Sequence, residues 1–95
     1  MATPEAKIKK KIKTILDTTH AYWIMPVTSG FGKAGVADFT VCIRGKYVAI
    51  EAKAGKGKLT ALQAREAGGV QAAGGTALII NETNIDTLKE VLDGL

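Results

Sequence analysis

The chain has 95 residues, 46% of them hydrophobic, and a formal net charge of +4 at pH 7. This length supports one small domain with a single core, so we expect one domain over residues 1–95. No apolar run reaches the length of a membrane span, and the N-terminal lysines are not followed by the apolar segment of a signal peptide. We therefore expect no membrane association.

The charge is unevenly distributed along the chain. Residues 1–58 carry eleven Lys or Arg against four acidic residues, whereas residues 59–95 carry two against five. A basic half predicts a polyanionic partner; an anionic membrane is the weaker alternative, since the chain has no lipidation motif. The single cysteine, Cys42, is typical of a reducing cytosol, and we expect it to serve in core packing or spacing rather than catalysis. As localisation we expect the cytosol of a bacterium or of a phage-infected host.

The first predicted element is a helix that begins at Thr3-Pro4, with Thr as N-cap and Pro at the first helical position. Its apolar stripe consists of Ile8, Ile12, Ile15 and Leu16. Most of its lysines are typical of a solvated face. Glu5 lies on the side of the stripe, where it would either reach a site near the core or favour the helix dipole as a first-turn acid; spacing leaves both open.

A strand is predicted from His20 to Val27, and Pro26 near its end favours either an edge position or the end of the strand. Tyr22 and Trp23 would point to opposite faces of this strand, so we expect at least one of them in the core. The glycine-rich loop that follows, residues 28–35, contains Lys33 and lacks the spacing of a P-loop. Because it leads into the next strand, we expect it to rim the functional site.

Residues 36–53 form two alternating, β-rich runs joined at residues 44–46, which predict an antiparallel hairpin. A two-residue loop at either 44–45 or 45–46 places Asp38, Glu51 and Lys53 on one face. The other face would be a core face made of Phe39, Val41, Ile43, Val48, Ile50 and Ala52.

Two carboxylates on one face of a hairpin require compensation. At about 5 Å they repel by roughly 3 kcal/mol at an effective dielectric near 20. A hard divalent cation, Mg²⁺ or Mn²⁺, would remove the repulsion, and Lys53 would then orient or deprotonate a water. The alternative is that Lys53 merely pairs with Glu51 or Asp38 on a solvated face.

The hairpin is followed by a basic loop with Lys56 and Lys58, a helix from Thr60 to Ala73, and a buried strand from Thr76 to Ile80. Thr60-x-x-Gln63 fits a capping box, which is the structural explanation for Gln63. A last helix is predicted to begin at Asn81 or Thr83, with Ile85, Leu88, Val91 and Leu92 as its stripe. The predicted order is α-β-β-β-α-β-α, typical of a mixed α/β sheet with a crossover.

This order of elements, with Asp38 followed by E-x-K, resembles the PD-(D/E)XK nuclease superfamily, and more narrowly a stand-alone VRR-NUC (virus-type replication-repair nuclease) domain. The family pattern consists of a Glu in the first helix, G-x-P-D, E-x-K and S/T-x-x-Q. The matching stretches are Glu5, Gly35-Val36-Ala37-Asp38, Glu51-Ala52-Lys53 and Thr60-Ala61-Leu62-Gln63. Ala37 stands where the family has proline. Loss of the proline would loosen the entry into the strand and leave the metal chemistry in place.

The resemblance implies a restriction-endonuclease-like mixed sheet flanked by helices, and a Mg²⁺- or Mn²⁺-dependent DNA endonuclease. Asp38 and Glu51 would bind the metal, with the Ala52 carbonyl and Glu5, the latter through water, as further candidate ligands. Lys53 would position the attacking water, and Gln63 would steady that water or the scissile phosphate. One Gln63 side chain is not expected to serve fully as both helix cap and active-site residue.

The basic residues expected to contact the DNA backbone are Lys33, Lys56 and Lys58. So small a chain has little surface for reading sequence, so we expect structure-selective cleavage. The resemblance implies a Holliday-junction resolvase that acts on branched DNA as a homodimer. No sequence feature locates the dimer interface, and the candidate regions are the strand His20–Val27 and the last helix. Alternatives are a flap or restriction-type nuclease, a non-catalytic nucleic-acid-binding module, and a small scaffold protein.

Overall fold

The computed structural model describes residues 2–27 and 32–95. Its elements are α1 (Pro4–Asp17), β1 (Tyr22–Ile24), β2 (Phe39–Ile43), β3 (Lys46–Ala52), α2 (Ala61–Ala72), β4 (Thr76–Ile80), a 3₁₀ turn (Ile85–Thr87) and α3 (Leu88–Asp93). The predicted order α-β-β-β-α-β-α is confirmed. None of the helices in these two ranges is long and apolar enough to cross a membrane.

The four strands form one mixed sheet in the order β1-β2-β3-β4. The first three strands pair antiparallel, and β4 runs parallel to β3, so α2 lies on the crossover between them. β1 is an edge strand, as predicted, but it is shorter than the predicted strand over residues 20–27. Trp23 packs against the core with its ring 5.8 Å from that of Phe39, while Tyr22 is exposed.

The hairpin of β2 and β3 turns at Arg44-Gly45, because Ile43 pairs with Lys46. Arg44 has φ 49° and Gly45 has φ 79°, the positive values that a type I′ turn requires at both central positions. This is one of the two predicted registers. Since Phe39 pairs with Ile50, the register brings the residue before β2, Asp38, opposite Glu51.

The core lies between one face of the sheet and the helices α1 and α3. Thr3 caps α1 by accepting a hydrogen bond from the Ala6 N–H at 3.1 Å. The buried core contains the whole predicted hairpin face and most of the predicted helix stripes: Ile8, Ile12, Leu16, Phe39, Val41, Ile43, Val48, Ile50, Ala52, Ile80, Ile85, Leu88 and Leu92. Of the two remaining stripe residues, Ile15 is partly buried and Val91 is 40% exposed. Alternation along β2 and β3 therefore leaves the opposite face for Asp38, Glu51 and Lys53, which are called the polar cluster below.

Two expectations are wrong. Cys42 is exposed, because it alternates with two core residues of β2 and so points to the other face of the sheet. The last helix begins at Leu88 rather than Asn81 or Thr83. The Asn81 side chain instead accepts hydrogen bonds from the backbone and hydroxyl of Thr83, at 2.9 and 2.6 Å. Such local bonds compete with a helix start.

Helix α2 covers the outer face of the sheet loosely, and none of its residues is buried. Between α2 and the sheet lies a cavity of about 520 Å³. Its walls carry small residues on both sides, among them Ala49 and Ala77 on the strands and Ala64 and Ala67 on the helix. Glu51 on the outer sheet face and Gln63 of α2 also line this cavity.

Candidate active site

The hairpin brings together the three residues predicted to meet on its outer face. Asp38 immediately precedes β2, Glu51 lies near the end of β3, and Lys53 follows that strand. The Lys53 Nζ lies 3.8 Å from Glu51 Oε1, and both side chains are largely withdrawn from solvent. Burial distinguishes this pair from an ion pair on a solvated face.

The side chain of Asp38 is held by a backbone N–H group of β3. Its Oδ2 accepts a hydrogen bond from the Ala52 N–H at 2.8 Å. Its Oδ1 lies 3.4 Å from the Nζ of Lys9, a residue of α1. The hairpin thus fixes the carboxylate of Asp38 in place, and its Oδ1 faces the ammonium group of Lys9.

Glu51 has one satisfied and one unsatisfied carboxylate oxygen. Oε1 accepts a hydrogen bond from Gln63 Nε2 at 2.9 Å. Oε2 is buried and has no hydrogen-bond partner among the residues that the structure describes. Burial, followed by the negative charge of Asp38, raises the pKa of Glu51 from 4.5 to about 7, against the opposing effect of Lys53. A buried acceptor without a partner costs about 1–3 kcal/mol, so Oε2 is a position where a proton or a cation is favoured.

The oxygen and the nitrogen of the Gln63 side-chain amide make hydrogen bonds to two different parts of the molecule. Its Oε1 accepts a hydrogen bond from the Thr60 N–H at 2.9 Å, and Thr60 Oγ1 accepts one from the Gln63 N–H at 3.1 Å, which completes the predicted capping box. Its Nε2 reaches Glu51 across the space between α2 and β3. Contrary to expectation, the same side chain both caps the helix and contacts the site.

Glu5 joins the site indirectly. Its Oε2 lies 3.8 Å from Lys9 Nζ, and the same ammonium contacts Asp38. Within residues 2–27 and 32–95, no group of three or more His, Cys, Asp or Glu side chains is arranged to hold a metal ion. The direct carboxylate pair is therefore Asp38 and Glu51. Mg²⁺ is commonly held by one or two carboxylates together with water and substrate phosphates, so this donor set fits it.

Lys9 is the site residue that sequence reasoning missed. Most lysines of the first helix were expected on a solvated face, and Lys7, Lys10, Lys11 and Lys13 are indeed exposed. Lys9 differs because it lies four residues after Glu5 and so shares its side of the helix. That spacing was the available signal; the contact with Asp38 depends on how α1 packs on the sheet.

Gly35 explains how the chain passes α2 on its way to Asp38. Its φ is +82°, and a Cβ added there would lie 2.5 Å from the Leu62 carbonyl oxygen. Only glycine combines this left-handed conformation with so close an approach to another backbone. The first turn of α2, which carries Gln63, is thereby held next to the segment that carries Asp38.

The three lysines predicted to contact DNA differ in their surroundings. Lys56 and Lys58 are exposed in the loop between β3 and α2. Lys33 is also exposed, but its Nζ lies 3.3 Å from Glu66 Oε1. Of the glycine-rich loop predicted to rim the site, residues 28–31 lie outside the described residues, while Gly35 to Ala37 line the cavity beside Glu51.

Comparison with protein family models finds no match. Comparison with curated protein sequences finds none either. A solved structure described as a VRR_NUC domain is similar to this chain, with a TM-score of 0.81 and 23% sequence identity over 94% of this chain and 97% of that one. Both the predicted restriction-endonuclease-like arrangement and the predicted resemblance are confirmed at the level of the fold. The chain therefore has the fold of a VRR_NUC domain.

Proposed function

We propose that the chain is a divalent-metal-dependent endonuclease that hydrolyses phosphodiester bonds in branched DNA. The observation that carries this proposal is the Glu51 carboxylate, whose buried Oε2 lacks a partner in the described part of the chain while Asp38 adds a second negative charge. The likeness in fold to a VRR_NUC domain supports a nuclease, by that domain's name. The basic N-terminal half supports a nucleic acid as substrate.

The metal site would be formed by Asp38 and Glu51, which supply hard oxygen ligands suited to Mg²⁺ or Mn²⁺. The Ala52 carbonyl, and Glu5 through water, are the further candidate ligands. When bound, such a cation lowers the pKa of coordinated water and stabilises charge on phosphate oxygens. The chain's own part is to hold two carboxylates in place: Asp38 through the Ala52 N–H, and Glu51 through Gln63.

Lys53 is the residue that would act on the nucleophile. Its ammonium lies beside Glu51 Oε1 and is only slightly exposed, so it is held in the site rather than in solvent. There it orients a water for in-line attack on phosphorus and stabilises the negative charge that develops on the phosphate.

Gln63 acts on Glu51. Because its Nε2 donates to Oε1, it leaves Oε2 as the oxygen directed away from protein partners. Its own orientation is set by the Thr60 N–H. We therefore assign Gln63 the role of a positioning residue for Glu51.

The DNA backbone would be contacted first by Lys56 and Lys58, which are exposed beside the end of β3. Lys33 would follow once it leaves Glu66. Neutralising one such phosphate contact reduces the slope of log affinity against log salt by about one.

A homodimer, as expected of a Holliday-junction resolvase, would place two sites about a twofold axis. Of the two predicted interface regions, the edge strand β1 is the better supported. Tyr22 is 73% exposed and Ile24 45%. In α3, by contrast, Leu88 and Leu92 are buried in the core, and Val91 is the one apolar residue of that helix that is exposed. β1 also has an open backbone edge for pairing.

The proposal is tested by incubating the chain with a four-way junction, a flap, a splayed arm and plain duplex, in Mg²⁺, in Mn²⁺ and in EDTA. Glu51→Gln serves as the inactive variant, because it keeps the shape of the side chain and removes its charge. We expect paired symmetric nicks on the junction that disappear in EDTA and in the variant. Cleavage of flaps alone would mean that the substrate is a flap and not a four-way junction. DNA binding without cleavage of any substrate would contradict the enzyme and leave a binding module.

A further inference from the structure

Lys9 of α1 contacts the polar cluster through Asp38, but the proposed chemistry gives it no role. Its Nζ lies 3.4 Å from Asp38 Oδ1 and 3.8 Å from Glu5 Oε2, so one ammonium lies between two carboxylates. Its side chain is 30% exposed. The ammonium thus occupies the kind of position that a cation takes between acidic ligands.

We propose that Lys9 is an exchangeable counter-cation of the active site. Its ammonium neutralises Asp38 and Glu5 until a divalent cation binds, and then withdraws to solvent. This inference rests on the proposed function, since it concerns the same metal site.

Two properties of the contact make the ammonium displaceable. Both distances exceed the 2.7–2.9 Å of a strong charge-assisted hydrogen bond, so the lysine is held by charge rather than by tight bonding. The flexible four-carbon stem and the partial exposure give the ammonium a path to water without a change in the backbone.

Charge repulsion favours the exchange. A divalent cation bound at Asp38 would lie within a few ångströms of the present ammonium position, and like charges at that separation repel strongly in a partly buried site. Lys53 differs in the oxygen that it contacts: Glu51 Oε1 is already engaged by Gln63, whereas Lys9 contacts Asp38 Oδ1, the oxygen that the Ala52 N–H leaves open for a metal. The two lysines therefore differ: Lys53 stays beside the nucleophile, and Lys9 competes with the metal.

The test is a titration of the full chain with Mn²⁺ in EPR, without DNA, for the wild type, Lys9→Met and Lys10→Met. Lys10 is the matched control, because it lies on the same helix, carries the same charge and is exposed. We expect Lys9→Met to bind Mn²⁺ about two- to fivefold more tightly than the wild type, the range for loss of one partly exposed ion pair. Lys10→Met should match the wild type, because salt screens its charge.

A second readout covers the state without metal. In EDTA, Lys9→Met should melt at a lower temperature than Lys10→Met, and saturating Mn²⁺ should raise its melting temperature by more than it raises that of the wild type. Lys9→Gln repeats both measurements should Lys9→Met fail to fold. Equal or weaker Mn²⁺ binding by the Lys9 variants would overturn this inference alone. Absence of Mn²⁺ binding by all the proteins would overturn the proposed function, and the inference with it.

Discussion

At the scale of single residues, Glu51 combines burial with a neighbouring negative charge, and both raise its pKa from 4.5 to about 7. Between these values the folded chain keeps a proton that the unfolded chain has released. Stability therefore falls as pH rises from about 4.5 to about 7, and the loss is complete above that window. The same group that suits a cation thus destabilises the protein at neutral pH when no cation is bound.

We predict that Glu51→Gln stabilises the protein at pH 8 by up to about 3 kcal/mol in EDTA and has little effect at pH 4, where the wild-type side chain is already neutral. Urea denaturation at the two pH values measures this difference. Glu90→Gln on the exposed side of α3 is the control and should show no such pH dependence. An equal effect of Glu51→Gln at both pH values would contradict the assigned environment.

At the scale of secondary-structure elements, α2 is held at its first turn and loosely packed elsewhere. Its capping box and the close approach of Gly35 fix the end that carries Gln63. The rest of the helix lies over the cavity lined by small residues. The helix is therefore positioned at the site and loosely packed away from it.

Two glycine substitutions separate these regions. Gly35→Ala should destabilise the protein by more than about 2 kcal/mol, since the new Cβ meets the Leu62 backbone and φ is positive. Gly68→Ala should stabilise it by about 0.5–1 kcal/mol, because a Cβ there meets nothing within 4 Å and alanine favours a helix. Denaturation midpoints measure both. If both substitutions stabilise the protein, or both destabilise it, the contrast between an anchored first turn of α2 and a loosely packed remainder is contradicted.

Much of the arrangement of the hairpin could be predicted from the sequence, because side-chain alternation and a two-residue turn determine which hairpin side chains meet. Asp38, Glu51 and Lys53 were predicted together for that reason. The same alternation puts Cys42 outside the core, a consequence that the expectation of core packing overlooked. The loose packing of α2 and the contact of Lys9 with Asp38 could not be predicted, since Ala- and Gly-rich helices show no clear stripe and contacts between distant elements leave no local pattern.

At the scale of the whole molecule, the exposed residues of β1 lie on an open edge of the sheet. We predict that Tyr22→Lys converts a dimer to a monomer in light scattering, because a charge on each partner would meet across the twofold axis. Val91→Lys, which adds the same charge on α3, should leave the dimer intact. A monomeric wild type, or dissociation only with Val91→Lys, would contradict an interface at β1.

The most direct test of the account is the single-turnover rate of junction cleavage in Mg²⁺ for the wild type, Lys53→Ala and Lys46→Ala. The two variants lose the same charge from opposite ends of β3, because Lys53 lies beside Glu51 and Lys46 lies at the hairpin turn. The account predicts a loss of about 10²-fold or more with Lys53→Ala, as for other groups that stabilise charge in a transition state, and a rate close to the wild type with Lys46→Ala. Equal rates for Lys53→Ala and the wild type would contradict it.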